Sequence, residues 1–405
     1  MRKLLLILIL IAAGIFVLVK QQAQNPSLEL VAQSISAGDI VSSDEVVPPG
    51  EVTSPDQTKS DQADVELQAK IDQLFMIGFR GYTYDSASDI KKALSETNLG
   101  GVILFDYDTP SKKYARNIQT ESQLKKLITD LQSNTKTKLF VAVDEEGGKV
   151  SRLKNMSGFE KTSSAAYLGT QPTATVQATG KNLGTQLASY GFNINFAPDL
   201  DVNVNPKNPV IGGVDRSFSS DAAIVSEKGI AFMKGLIAGG ITPVGKHFPG
   251  HGSSTADSHF GFVDISTTYK EYELDPFKAA CAAGLPAIMV AHVYNKNVDA
   301  KYPATLSQKH TANLKQKAGC SNQLIFSDDM DMRAISAQYG REEALILALN
   351  AGVDVLVISN NVVGYDKDAY FNARKIVFDA VRSGKITQST IDAAYKKIKD
   401  FKGSI

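Results

Sequence analysis

The stretch VSEKGIAFMKGLIAGGITPVGKH, residues 225–247, decides the fold because it joins a helical pattern directly to a buried-strand pattern. Its first sixteen residues, 225–240, place apolar side chains at helical spacing. The last seven, 241–247, form a short and largely apolar run that ends in Lys246 and His247. This run predicts a strand that is buried on both faces.

The same alternation repeats from about Leu67 to the end of the chain. Eight apolar runs are separated by segments with helical patterns: QLFMIGF (73–79), GVILF (101–105), LFVAVD (139–144), INFAPD (194–199), ITPVGKH (241–247), AIMVAH (287–292), LIFSDD (324–329) and DVLVIS (354–359). Such repeats indicate a parallel sheet covered by helices. Eight units in about 340 residues predict an α/β fold, a (β/α)8 TIM barrel over residues 67–405. An open doubly wound sheet is the alternative.

The first twenty residues have the pattern of an export signal. Arg2 and Lys3 precede sixteen uncharged, mostly apolar residues at 4–19, and Lys20 ends the run. This run is shorter than the about 20 residues of a spanning helix, but no small-x-small cleavage site follows it. We therefore expect a signal anchor at 1–20 that tethers an extracytoplasmic protein to the membrane. Cleavage and secretion are the alternative.

Residues 21–66 contain no aromatic residue, and they include nine acidic residues but only one basic residue, Lys59. Such a segment cannot bury enough apolar surface to fold, so we predict a disordered stalk. Over the whole chain, Lys+Arg and Asp+Glu are equal at 43 each, which argues against a nucleic-acid partner. The two cysteines, Cys281 and Cys320, exclude a disulfide framework. They could form one bond outside the membrane or remain as two buried thiols.

Polar side chains recur where the predicted strands give way to loops. In a barrel of this kind the active site lies at the carboxyl ends of the strands. The polar residues at these ends are Asp144, Asp199, Lys246, His247, His292 and Asp328. Packing alone does not explain this placement, so we expect a functional site there.

The loop KHFPGHGSSTADSHFG, residues 246–261, concentrates the chemistry. Three of the five histidines of the chain lie in this loop and span only thirteen residues: His247, His251 and His259. The spacing of Asp257 and His259 lets a carboxylate fix an imidazole that transfers protons. A metal site is one alternative, but the ammonium of Lys246 would repel a divalent ion, and a structural loop is another. We expect neither a metal nor a cofactor.

This loop resembles the signature of glycoside hydrolase family 3 enzymes of the β-N-acetylglucosaminidase type. Further matches are spread over residues 67–405: DEEGGKVSRL (144–153), VDRSFSS (214–220), PATLS (303–307), FSDDMDM (326–332) and AGVDVLVIS (351–359). Two differences are mild, since close relatives often have Gln at Glu145 and Arg at Lys149. The fifty or so residues after the last strand leave room for helices such as QSTIDAAYKKIKDF (388–401), and we expect no second domain.

The resemblance implies roles for individual residues. Asp328 matches the nucleophile, although the sequence alone cannot separate it from Asp329. His259 matches the acid/base, and Asp257 would orient it. The positions that match sugar-binding residues are Asp144, Arg152, Arg216, Lys246 and His247, with His292 a weaker candidate. His251 receives no role.

The resemblance also implies a retaining exo-β-N-acetylglucosaminidase that acts by double displacement. We expect a monomer whose substrate is a peptidoglycan-derived or chitin-type oligosaccharide. Alternatives within the family are a β-glucosidase and a phosphorylase that uses phosphate in place of water. A wall-binding module without catalysis is the alternative from another class, against which the intact set of Asp328, Asp257 and His259 counts.

Overall fold

The computed structural model of the protein describes residues 55–114, 116–362 and 364–404. The predicted signal anchor at 1–20 and the predicted stalk as far as residue 54 lie outside these residues. Within the described part, no helix is long and apolar enough to cross a membrane.

Eight parallel strands form one sheet, and each contains or overlaps one predicted run. They are β1 (Phe75–Gly78), β2 (Gly101–Ile103), β3 (Phe140–Val143), β4 (Ile194–Asn195), β5 (Thr242–Phe248), β6 (Ala287–Val290), β7 (Leu324–Ser327) and β8 (Leu356–Ile358). Strands β1 to β7 pair in chain order, each with the next, and β8 pairs with β1. A parallel bridge between Phe326 and Val355 joins β7 to the start of β8. The sheet is therefore a nearly closed barrel, as in TIM-like folds, and the open sheet is excluded.

Helices surround the barrel and follow the strands in alternation. The longer ones are α1 (Pro55–Asp72), α2 (Ser88–Glu96), α3 (Glu121–Ser133), α4 (Thr173–Tyr190), α5 (Ala222–Ala238), α6 (Asp275–Ala282), α7 (Gln308–Gln316), α8 (Arg341–Ala351), α9 (Ala369–Arg382) and α10 (Gln388–Lys402). Shorter helical segments are Ala165–Gly169, Gly212–Val214, Glu271–Leu274, Ala304–Leu306 and Arg333–Ser336. Short strand pairs lie in the loops: Tyr107–Asp108 with Lys113–Tyr114, Glu145–Gly147 with Val150–Ser151, and Val263–Asp264 with Val293–Tyr294.

Aromatic side chains fill the barrel interior. The rings of Phe140 and Phe326 lie 6.1 Å apart, and Phe196 packs edge-on against Phe326 at 5.6 Å. Phe401, from α10, packs on Phe140 at 6.0 Å. Ring pairs at these distances add to the stabilisation from burial. The interior below the site is therefore a packed core.

Helix α1 begins earlier than the sequence predicts. Residues 55–66 are helical, whereas we predict a disordered stalk to residue 66. A tertiary contact lies within these residues, because Asp64 pairs with Arg382 of α9 at 3.2 Å, and the helix continues into Leu67 and Ile71, which are buried in the hydrophobic core. Local composition does not report contacts with residues so distant in the sequence.

Cys281 and Cys320 are bonded to each other, with their Cα atoms 5.4 Å apart. Cys281 lies in α6, and Cys320 follows α7. Of the two possibilities left open by the sequence, the structure contains the disulfide. The bond links neighbouring strand-helix units on the outside of the barrel.

Candidate active site

A cavity of about 230 Å³ opens at the carboxyl ends of the strands. Seven residues predicted from the sequence line it: Asp144, Arg152, Arg216, Lys246, His247, His259 and Asp328. They come from the ends of β3, β5 and β7 and from the loops that follow β3, β4 and β5. The polar side chains at successive strand ends thus meet in one place, as the barrel fold requires.

Lys246 lies between two carboxylates on the cavity wall. Its Nζ is 2.7 Å from Asp144 Oδ1 and 2.7 Å from Glu146 Oε1. Burial favours the neutral amine, but Asp144 and then Glu146 raise the pKa of Lys246 above its ordinary value. The same contact helps to lower the pKa of Asp144, despite its burial. The ammonium and both carboxylates therefore stay charged and hold one another in position.

Arg216 binds the other edge of Glu146. Its Nε donates to Glu146 Oε2 at 2.8 Å, and its Nη2 donates to Oε1 at 2.7 Å. The same Nη2 lies 3.0 Å from His247 Nε2. Because a guanidinium can only donate, Nε2 must accept, and the His247 proton sits on Nδ1. That Nδ1 donates to Asp201 Oδ2 at 2.7 Å.

The metal alternative has one matching cluster in the described part of the chain. Ligand atoms of Asp199, Asp201 and His247 lie within 4.8 Å of one another. However, His247 Nδ1 is used as a donor to Asp201, and Arg216 Nε lies 3.5 Å from Asp199 Oδ2. Burial and the charge of Asp201 raise the pKa of Asp199 well above its usual value. The guanidinium already supplies the positive charge here, so these residues do not fit a cation.

Asp328 follows β7 directly and reaches the centre of the cavity. Its own N–H donates to Val290 O at 3.0 Å, and its Oδ1 accepts from the Asp329 N–H at 2.8 Å. Burial favours the neutral acid, but the surrounding imidazoles of His292, His247 and His259 lower the pKa of Asp328 to about 2. The carboxylate is ionised at neutral pH.

Asp329 differs from its neighbour in both contacts and charge. Its Oδ1 accepts from the N–H groups of Ser359 at 2.9 Å and Asp331 at 3.1 Å, and its Oδ2 accepts from the Ser359 hydroxyl. Burial and then Asp331 raise the pKa of Asp329 to about 7. Asp329 therefore holds the segment after β8, which leaves Asp328 as the unencumbered carboxylate.

His259 and Asp257 form a pair at the mouth of the cavity. Both the backbone N–H and the Nδ1 of His259 lie 2.8 Å from Asp257 Oδ1. Burial lowers the pKa of His259, but the bond to Asp257 and the charge of Asp328 outweigh it and raise the pKa. Since the side chain is half-exposed, at 52%, Nε2 remains available for a proton transfer.

His292, the weaker candidate, does not line the cavity. The residue is 1% exposed, and its Nδ1 lies 2.8 Å from Thr305 Oγ1. Its Nε2 donates to the backbone oxygen of Asp329 at 2.9 Å. His292 therefore supports the segment that carries Asp328 and does not reach a ligand.

Two site residues were not singled out from the sequence. Glu146 bridges Lys246 and Arg216, and Asp201 holds His247. Each lies two residues beyond a carboxylate at a strand end, Asp144 or Asp199. This spacing was an available signal, because alternate residues in an extended segment point to the same side.

The chain is similar to known proteins over most of its length. The model of the glycosyl hydrolase family 3 N-terminal domain matches residues 66–401. A β-hexosaminidase of Tolumonas auensis is 35% identical over 296 residues, which cover 71% of this chain and 83% of the relative. β-Hexosaminidase A of Pseudoalteromonas piscicida is 29% identical over 382 residues, or 84% of this chain, but the match spans only 62% of that protein.

A solved structure has the same fold. It is a glycoside hydrolase family 3 β-N-acetylglucosaminidase from Paenibacillus sp. str. FPU-7, with a TM-score of 0.75 and 32% identity. The match covers 83% of this chain and 62% of that one. The family model accounts for nearly the whole described part of the chain, barrel and cavity together. The chain belongs to glycosyl hydrolase family 3.

Proposed function

We propose that the protein is a retaining exo-β-N-acetylglucosaminidase that releases terminal, non-reducing N-acetylglucosamine from peptidoglycan-derived or chitin-type oligosaccharides. The observation that carries the proposal is an ionised carboxylate, Asp328, in the same cavity as a protonatable imidazole, His259. The similar proteins are a β-hexosaminidase, β-hexosaminidase A and a β-N-acetylglucosaminidase, and they support the substrate class.

Asp328 is the nucleophile in the first step. Its carboxylate oxygen attacks the anomeric carbon while the glycosidic C–O bond breaks, and the leaving oxygen takes the proton from His259 Nε2. The raised pKa of His259 keeps that proton in place before the reaction. Asp257 accepts from Nδ1 and so directs Nε2 toward the leaving group.

His259 is the base in the second step. Neutral after the first step, its Nε2 takes a proton from water, whose oxygen attacks the anomeric carbon and displaces the Asp328 carboxylate. Two displacements at one carbon give net retention of configuration. Because the acid/base is an imidazole, no second carboxylate opposes ionisation of Asp328 at this point.

The charged wall supports recognition of one terminal sugar. Lys246, Arg216 and Arg152 present donors, and Asp144 presents an acceptor, all within the same small cavity. At about 230 Å³ the cavity is smaller than the roughly 300–1,000 Å³ of common ligand pockets. A single ring suits this volume better than the middle of a polymer, which favours exo action.

We also propose that the protein works outside the cytoplasm, tethered by residues 1–20. The basic-then-apolar pattern of these residues supports the tether. The bond between Cys281 and Cys320 supports an oxidising compartment, since disulfides persist mainly there. Fractionation of cells with and without residues 1–20 tests the tether. Loss of membrane association on deletion is expected, and unchanged association would contradict it.

One assay tests the activity directly. We expect hydrolysis of 4-nitrophenyl β-N-acetylglucosaminide, little cleavage of the matching glucoside, and no stimulation by inorganic phosphate. Proton NMR of the first product formed should show the β-anomer. Preference for the glucoside, or glycosyl phosphate as the product, would replace the proposal with one of the two family alternatives, and no cleavage at all would favour a binding module.

A further inference from the structure

We propose that His251 is a positioning residue that holds the Asp257–His259 pair over Asp328 through Ser258. The proposal rests on the proposed function, because it assigns His251 to the acid/base machinery. His251 does not act as the acid/base itself, and the contacts of its ring explain why it is needed.

Both ring nitrogens of His251 bind serines of its own loop. Nδ1 lies 2.8 Å from Ser254 Oγ, and Nε2 lies 3.2 Å from Ser258 Oγ. The residue is 2% exposed. An imidazole with both nitrogens engaged cannot carry a proton to a substrate, but it can hold two parts of a loop together.

The backbone of His251 is held by Asp201, the residue that also holds His247. The N–H of His251 donates to Asp201 Oδ1 at 2.7 Å, while Asp201 Oδ2 accepts from His247. Next to His251, Gly252 lies so close to the backbone carbonyl of Val202 that a Cβ would not fit. The backbone at His251 and Gly252 therefore has little room to move. The ring of His251 in turn holds Ser258, which lies further along the loop.

Ser258 links the ring of His251 to the Asp257–His259 pair. It is 2% exposed, lines the cavity, and stands between Asp257 and His259 in the chain. Its backbone oxygen accepts from the N–H of Ala334 at 3.1 Å. Because one peptide bond separates Ser258 from each partner, a shift of Ser258 moves both the carboxylate and the imidazole.

The electrostatics agree with a neutral bridge. Burial lowers the pKa of His251 to about 4, against the opposing charge of Asp201. A neutral imidazole adds no positive charge near His259, so it does not discourage protonation of the acid. The contacts of Ser258 do not require a charged partner.

Substrates with different leaving groups give the sharpest test. A 2,4-dinitrophenyl glycoside leaves without protonation, whereas a methyl or disaccharide glycoside needs the acid. For His251→Ala we expect kcat/KM on the poor leaving group to fall about 10–100-fold, part of the usual general-acid contribution, and kcat/KM on the dinitrophenyl glycoside to change by less than about 3-fold. An equal fall on both substrates, or none on either, would overturn the proposal.

Two conservative variants separate the contacts of the ring. His251→Gln places a carboxamide group near the position of Nε2, where it can still form a hydrogen bond with Ser258. His251→Asn places one near Nδ1, within reach of Ser254 only. We expect Gln to restore activity on the poor leaving group more than Asn does, and the reverse order would contradict the route through Ser258.

The matched control is His310→Gln, which removes a buried histidine outside the cavity wall. It should show equal, small effects on both substrates. A measurement without turnover keeps the two proposals apart: NMR titration of the ring protons of His259. Its pKa should lie above 6.5 in the wild type and move toward 6.5 in His251→Ala, and an unchanged pKa would refute the positioning role even if the protein proved to be no glycosidase.

Discussion

Asp328 and Asp329 are adjacent in the chain but face different surroundings. Imidazoles around Asp328 lower its pKa to about 2, whereas burial and Asp331 raise that of Asp329 to about 7. Neighbouring carboxyl groups whose pKa values are shifted in opposite directions are the arrangement expected where one acts chemically and the other holds backbone. The contacts of each side chain, and not its identity, make this division.

Replacing the proposed nucleophile should nearly abolish turnover. For Asp328→Asn we expect kcat to fall at least about 1,000-fold with an unchanged melting temperature, since a covalent step is lost. Asp329→Asn should instead lower the melting temperature and keep measurable activity. Asp130→Asn, a half-buried residue of α3 that pairs with Lys126 and does not line the cavity, is the control and should leave kcat unchanged and lower the melting temperature only slightly. Full activity of Asp328→Asn would remove the assignment.

The alkaline limb of the pH profile should report His259. Its raised pKa means that the acid form is present below that pKa and is lost as the pH rises through it, so kcat/KM should fall there. Asp257→Asn removes the carboxylate that helps to raise this pKa. The limb should then move to lower pH, as measured by kcat/KM from pH 4 to pH 9. A limb that stays in place would show that another group is titrating.

The sequence could predict most of this site because its residues sit at strand ends and in one dense loop. Asp144, Lys246 and Asp328 each follow or end an apolar run, which fixes their side of the barrel in advance. Glu146 and Asp201 are different, since their roles depend on contacts with Arg216 and His247 from other units. Such partners are set by tertiary geometry, which spacing alone does not give.

At the scale of elements, the segment before α6 anchors the loop at residues 246–261. Glu273 is fully buried, and its Oε2 accepts from the Ser253 N–H at 3.1 Å. Its Oε1 accepts from the Lys270 N–H at 2.9 Å. Burial raises the pKa of Glu273 to about 7. One side chain thus ties a loop after β5 to the start of the next helix.

Substitutions of Glu273 should separate its hydrogen bonds from its charge. Glu273→Ala should cost about 1–3 kcal/mol, because the buried N–H of Ser253 and the partly buried N–H of Lys270 lose their acceptor. Glu273→Gln keeps one oxygen and cannot ionise. A raised carboxyl pKa contributes stability at low pH that is lost as the pH rises from 4.5 through about 7.

The free energy of unfolding, measured between pH 4 and pH 9, checks this sign. The difference between wild type and Glu273→Gln should shift in favour of the variant as the pH rises from 4.5 to about 7, and it should be constant above that pH. A difference that is constant with pH would show that Glu273 does not titrate in the folded protein.

The strands could be predicted and α1 could not, for one physical reason. Each strand is a largely continuous apolar run, so its burial can be predicted from neighbouring residues in the sequence. The start of α1 is polar, and its contact with the domain comes through Asp64 and Arg382, more than 300 residues apart in the chain. A pairing of this kind leaves no local pattern.

At the scale of the whole molecule, the disulfide is the only covalent tie between distant residues in the described part of the chain. Cys281 and Cys320 are 39 residues apart, so the bond closes a moderate loop. Replacing both with serine should lower the free energy of unfolding by about 2–4 kcal/mol. Because neither residue lines the cavity, KM should not change.

Denaturant unfolding with and without a reductant measures this effect. The wild type in reductant should resemble the double serine variant in oxidising buffer, and the variant should be insensitive to reductant. A large change in KM would mean that the bond also shapes the active site.

The aromatic core beneath the cavity has a consequence for the order of events. Phe140, Phe326 and Phe401 fill the barrel behind Asp328, so reactants and products enter and leave through the same cavity opening. The leaving-group sugar must pass through that opening before water can take its place beside the anomeric carbon. In the proposed mechanism, a second sugar at the entrance therefore competes with water for the glycosyl group bound to Asp328. At high oligosaccharide concentration the enzyme should begin to lengthen chains as well as shorten them.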